Sequence, residues 1–198
     1  MPQKHIIHFY DNVTHETFSV LRTVLLQIFA EDKEPEIILM LSSKGGALDA
    51  GFDAYNFIRN LPISITCINM GAVESAAVIV FLAAENRFAV KHSRFLIHSF
   101  HWDYSNAETI DHNRIIEHVN SLNFDRDRYA SIFNERTKAV DAGFDVMQCL
   151  NGASKILNSD DAANIGLTTL TPSEIEFPIM QRDYRHWIIS QPSMNVGQ

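Results

Sequence analysis

Apolar positions along this chain alternate between short continuous runs and longer stretches with helical spacing. HIIHF (His5 to Phe9) reads as a short strand. Asp11 or Thr14 is placed to cap a following helix, in which Phe18, Val20, Leu21, Val24, Leu25, Ile28 and Phe29 form the buried face. After the polar break EDKEPE, the run IILML (Ile37 to Leu41) is apolar throughout, as in a strand covered on both faces. A second helix is predicted from Ala47 to Asn60, with Leu48, Phe52, Tyr55, Phe57 and Ile58 inward. Leu61-Pro62 stops it before the strand ISITCI (Ile63 to Ile68). Met70-Gly71 reads as a turn into AVESAAVIVFLAAE, a helix so apolar that most of its circumference must be packed. RFAV (Arg87 to Val90) and RFLIH (Arg94 to His98) give two more short strands.

This order predicts an α/β fold in one domain over residues 1–198, with a mainly parallel sheet, right-handed crossovers and covering helices. From Ser105 to about Val140 the chain is highly charged, and Ile110, Ile115, Ile116, Val119, Leu122 and Phe124 are scattered among the charges. Two readings fit it: a projecting helix that packs on another subunit, or a solvated surface helix. Gly143 breaks the pattern, DVMQCLNG makes a short helix, and NSDDAANIGL reads as a capped helix closed by Gly166. The tail from Thr171 carries no clear pattern.

Charge and cysteine usage remove several function classes. With 16 basic and 24 acidic residues the formal net charge is −8, and no Lys/Arg cluster is present to follow a phosphate backbone, so nucleic acid is not an expected partner. Cys67 and Cys149 lack metal-ligand or CxxC spacing and read as buried free thiols of a reducing compartment. No run approaches the ~18 apolar residues of a membrane span, and the start lacks a charged segment followed by an apolar one; the expected location is the cytoplasm.

Three stretches carry candidate chemistry: SSKGGALDAG (Ser42 to Gly51), INMGAVESAA (Ile68 to Ala77) and RFLIHS (Arg94 to Ser99). They offer a glycine turn before a helix, a serine where another helix begins, and a histidine ending a strand. All three sit at strand carboxyl ends, where ligands bind in such sheets. A nucleophile, a base and an oxyanion hole point to acyl transfer. Taken singly, each residue also has a structural use: serine as a cap, histidine as a core residue, Gly-Gly as a turn. His98 and His101, three apart at a strand end, do not share a face, so no metal is expected. No cofactor is implied.

The same stretches resemble the Clp protease proteolytic subunit family, serine peptidases whose fold is shared with crotonases. SSKGGALDAG is similar to that family's SPGG turn, INMGAVESAA to its GQAASMG segment, RFLIHS to its R-x-x-I-H-x strand, and LNSDDAANIGL to its FLSAPEAxxxGLVD helix. The resemblance covers roughly Ile37 to Leu167 and implies repeated β-β-α units with a projecting handle helix at about residues 100–140. It also implies Ser75 as nucleophile, His98 as general base, and the backbone N–H groups of Gly46 and Ala76 as oxyanion donors. Ser154 stands at the third triad position, where the family has aspartate; Asp145, Asp160 and Asp161 lie nearby in sequence. Glu74 replaces a small residue before the serine. SFHWDYSN replaces a glycine-rich strand, bringing His101, Trp102 and Tyr104 toward the peptide groove. Implied partners are peptide or unfolded protein substrates, further copies in homo-oligomeric rings, and an ATP-driven unfoldase, although the first strand begins too early for the family's preceding pore-loop segment. Two other expectations stay open: a ring-forming pseudopeptidase with little or no activity, and a crotonase-type acyl-coenzyme A enzyme.

Overall fold

The structure, a computed structural model, describes residues 3–101, 111–137, 143–175, 179 and 181–190. The first strand, β1 (Lys4–Phe9), leads to α1 (His15–Glu31), whose N-cap Thr14 accepts from the Thr17 backbone in a reciprocal capping box. Thr17, Leu21, Val24, Leu25 and Ile28 face inward, but Phe29 is 46% exposed and Phe18 and Val20 are half-buried. The apolar stripe of α1 is therefore narrower than its composition suggests. Then come β2 (Glu36–Ser43), α2 (Leu48–Asn60), β3 (Ile65–Glu74), α3 (Ala76–Ala83), β4 (Asn86–Ala89) and β5 (Arg94–Ile97).

The strand β3 overturns one expectation. Met70-Gly71 is no turn: the strand runs on to Glu74, and α3 starts only after Ser75. The lower half of β3 pairs with β4 (Thr66 to Asn69) and the upper half with β5 (Ala72 to Glu74), both in parallel. Gly71 allows a close approach there, since a Cβ would lie 3.1 Å from Ser42 Oγ. Every residue of α3 is buried, as its all-round apolarity predicts.

Beyond β5 the chain forms α4 (His112–Thr137), α5 (Val146–Leu150), β6 (Lys155–Asn158), α6 (Ser159–Asn164) and β7 (Arg185–Ile189). Two of these strands escape the sequence reading. Strand β6 pairs antiparallel with β5, and β7 pairs parallel with the outer edge of β1. Among the described residues the sheet order is β6-β5-β3-β2-β1-β7, with β4 beside β3. It is a mixed α/β fold with a mainly parallel sheet.

Alternation along the strands separates two apolar clusters. Ile7, Leu39, Cys67 and their neighbours pack against the helices, while Ile6, Met40, Ile68 and Phe88 turn to the other face, met by Leu170, Ile175 and Tyr184. Cys67 and Cys149 are buried and free, and burial pushes the Cys67 thiol far up. No helix among the described residues is long and apolar enough to cross a membrane.

Helix α4 changes character along its length. Ile115, Ile116 and Val119 are 44–50% exposed, whereas Tyr129, Ile132 and Phe133 are buried on α3 and its neighbours. The C-terminal half is anchored by Arg87, which is 1% exposed. Its guanidinium donates to the carbonyls of Leu167 (2.8 Å), Ala84 (2.9 Å) and Arg136 (2.9 Å), tying α3, α4 and the segment after α6 together. Burial lowers its pKa to about 10, so it remains charged at neutral pH.

Candidate active site

Two glycines and one serine build the first wall of the site. Gly45 and Gly46 follow β2 with φ of +92° and +140°, a region that L side chains rarely adopt. Space forbids a side chain too: a Cβ on Gly45 would lie 2.7 Å from Ser75 Cβ, and one on Gly46 would lie 2.3 Å from Val13 O. The loop is pinned to Val13, whose N–H donates to Gly45 O (2.8 Å) and whose carbonyl accepts from Ala47 N (2.8 Å). That bridge uses Gly45 and Ala47 and leaves the Gly46 N–H outside the pairing.

Ser75 stands at the junction of β3 and α3 with φ +54° and ψ −125°. A non-glycine residue held there is strained, and its surroundings over-determine it. Its N–H donates to Leu96 O (2.9 Å), and its carbonyl accepts from Val78 N (3.0 Å) and the Tyr129 hydroxyl (3.4 Å). The side chain makes no capping hydrogen bond. Ala76 is the first residue of α3, where an N–H has no partner within the helix. Glu74 points elsewhere: 7% exposed, it accepts from Arg94 Nη2 (2.7 Å) and Nε (2.9 Å).

His98 follows β5 directly, half-buried, with Nδ1 2.7 Å from Ser99 O and its ring stacked against His101 at 6.2 Å between centroids. Gly46, Ser75 and His98 line one cleft of about 410 Å³, with Asp49 from α2 and Leu122 and Asp125 from α4. Desolvation raises the Asp125 carboxyl above its usual range, and the Asp49 charge adds to this against the pull of Arg128.

Ser154 is exposed in the stretch before β6. The antiparallel ladder ends at Ile97 opposite Lys155, so His98 and Ser154 are the next pair in register. Directly opposite residues of such a pair have neighbouring side chains on one face. The His98 ring is nonetheless bonded to Ser99 O. Asp145 caps α5 through Met147 N (2.9 Å), and Asp161 accepts from Asn158 N (3.2 Å), so both are used locally; Asp160 is exposed on α6. Trp102 and Tyr104 lie outside the described residues. No group of three or more metal-ligating side chains converges among the described residues. Sequence reasoning missed Asp49, Asp125 and the Ser99 carbonyl, because no local pattern links them to the glycine turn or the serine.

A family model for Clp protease matches residues 1–173. The chain is 35% identical over 88 residues to the ATP-dependent Clp protease proteolytic subunit 2 of Borreliella burgdorferi, covering 43% of this chain and 44% of that protein. It is 36% identical over 98 residues to the ATP-dependent Clp protease proteolytic subunit of Cyanophora paradoxa, covering 48% and 50%. These matches span half or less of the curated relatives' length. A ClpP1 mutant from Listeria monocytogenes superposes with a TM-score of 0.69 at 20% identity, covering 85% of this chain and 93% of that one, which establishes a shared fold. With its model matched from residue 1 to residue 173, the chain belongs to the Clp protease family.

Proposed function

We propose that this chain is a serine peptidase of the Clp proteolytic type acting on peptides or unfolded protein. The observation that carries the reading is the convergence of Gly46, Ser75 and His98 on one cleft. Ser75 Oγ attacks the peptide carbonyl carbon while His98 Nε2 takes the hydroxyl proton. The carbonyl oxygen becomes an oxyanion held by the N–H groups of Gly46 and Ala76, at the positive end of α3. The tetrahedral species collapses, the amine leaves with the proton from His98, and an acyl-enzyme remains on Ser75. Water, deprotonated by His98, then releases the acid and restores Ser75.

A base needs the correct tautomer, and the contact with Ser99 O supports it. Nδ1–H donating to that carbonyl leaves Nε2 without a proton and able to accept one. A carbonyl orients the ring but carries no negative charge to stabilise an imidazolium. In a chymotrypsin-type enzyme, replacing the triad Asp by Asn costs ~10⁴ in turnover through the wrong tautomer. Here the tautomer is kept, so slow but Ser75-dependent hydrolysis is expected. The exposed stripe of Ile115, Ile116 and Val119 on α4 suits contact with a second copy, in keeping with assembly into homo-oligomeric rings.

Intact-mass analysis after fluorophosphonate treatment tests the chemistry. A single adduct on the wild-type chain that is absent from Ser75→Ala is the expected result. No adduct on a folded, assembled chain overturns the peptidase reading and favours a ring-forming pseudopeptidase, for which the serine at position 154 is the motivating feature.

A further inference from the structure

The cleft beside Ser75 has an uneven lining. Leu48, Phe100 and Leu122 give it an apolar body, and two carboxylates, Asp49 at the first turn of α2 and Asp125 on α4, face it from opposite elements. No lysine or arginine is among the described residues that line it. The nearest cationic groups stand outside that lining. The Arg128 guanidinium lies 3.9 Å from the centroid of the Phe52 ring, and His15 of α1 contacts Asp49 from outside the cleft at 3.1 Å. His98 and His101 are the remaining titratable groups on the wall.

Asp49 has a local use as well, favouring the N-terminus of α2 and accepting from Ala50 N at 2.8 Å. Asp125 has no such use. It sits in the middle of α4, half-buried, where desolvation raises its carboxyl and the Arg128 charge opposes this more than the Asp49 charge adds to it, and it makes no ion pair of its own among the described contacts. Two carboxylates that face one cleft with an apolar body, and no cation in its lining, favour a cationic group that enters it. A side chain with an apolar stem and a cationic head matches both parts, the stem on Leu48 and Leu122 and the head at the carboxylates.

From this lining we infer that the cleft selects substrates with lysine or arginine next to the scissile bond, Asp49 and Asp125 being the specificity-determining residues. The inference rests on Ser75 being the nucleophile, and the test separates the two. Wild-type chain is assayed on a panel of fluorogenic peptides differing only at the residue whose carbonyl is attacked: Lys, Arg, Leu, Ala or Glu. The expected result is a kcat/KM at least ~10-fold higher for Lys and Arg than for Leu, about 1.4 kcal/mol. In a folded Asp49→Asn/Asp125→Asn double variant, cleavage after Lys falls and cleavage after Leu rises until the preference is gone.

Fluorophosphonate labelling at Ser75 together with equal or faster cleavage after Leu overturns the inference and leaves the peptidase reading standing. If neither labelling nor cleavage occurs, the peptidase reading falls, and binding decides the rest. Fluorescent Lys- and Leu-containing peptides are titrated into Ser75→Ala and into its Asp49→Asn/Asp125→Asn derivative. Tighter binding of the Lys peptide that vanishes with the carboxylates upholds the acidic cleft; equal binding of both peptides overturns it.

Discussion

On one side of the cleft Ser75 is fixed by contacts with Leu96, Val78 and Tyr129 and by a glycine loop pressed against it. On the other side His98 ends a four-residue strand, and its ring is oriented by one hydrogen bond to the next residue's carbonyl. The two proposed roles therefore rest on unequal support. Under the proposed function the oxyanion donors must be rigid before the charge develops, and the Ser75 side is built from buried elements whose packing offsets its backbone strain. A base needs only the right tautomer and reach, and a local contact is enough to set the first.

The comparison breaks most readily at its foundation. Arg87→Ala removes the guanidinium donors to the carbonyls of Leu167 and Arg136, leaves Ala84 O to Arg136 Nη2 alone, and opens a cavity behind α3. Equilibrium urea unfolding is expected to show a loss of about 3 kcal/mol or more; under 1 kcal/mol the nucleophile side would not depend on this anchor. Next in size, Gly46→Ala forces the loop away from Val13 and should slow Ser75-dependent labelling on the order of 10²-fold, the scale of losing one oxyanion donor. Labelling at the wild-type rate would mean that the Gly46 N–H takes no part.

Ser154→Asp sharpens the contrast from the other side. Register puts position 154 opposite His98, so a carboxylate there can supply the charge that Ser99 O lacks. Peptide hydrolysis is expected to rise by roughly tenfold or more, a fraction of what a triad acid contributes elsewhere. An unchanged rate would show that the base side is already complete.

The smallest effect lies far from the cleft. His8 Nε2 is 3.0 Å from His186 Nδ1 across β1 and β7, and desolvation, then the His186 charge, lowers its pKa below 6.5. The unfolded chain therefore takes up a proton before the folded chain does. This contribution to stability is whole above pH 6.5 and is lost as pH falls through the folded value. Melting temperature should drop between pH 7.5 and pH 5.5 by more in the wild type than in His8→Gln; equal drops would show that the pair is not linked to folding.

Much of the backbone around Ser75 was legible in the sequence because local chemistry marks it. Gly-Gly after an apolar run, and Ser75 before a fully apolar octet, announce their conformations within a few residues. His98 was found as the end of a strand, but its partner is a backbone carbonyl that no side-chain pattern advertises. Gly71 misled because glycine usually marks a turn, whereas here its missing Cβ lets β3 pass close to Ser42. Strand β7 went unseen because five residues of mixed polarity become a strand only when β1 offers an edge. Asp49 and Asp125 come to one cleft only through the packing of α4, so their shared place has no sequence signature.

That last strand has a consequence for how the chain folds. The register joins His5 to Arg185 and Phe9 to Ile189, and Trp187 stacks on His5 at 6.3 Å between centroids. Strand β1 thus waits for a segment far along the chain before its outer edge is covered. Loop closure over such a separation is slow, and an uncovered strand edge is sticky while it lasts. Until then that edge of β1 is open to chaperones and to other nascent chains.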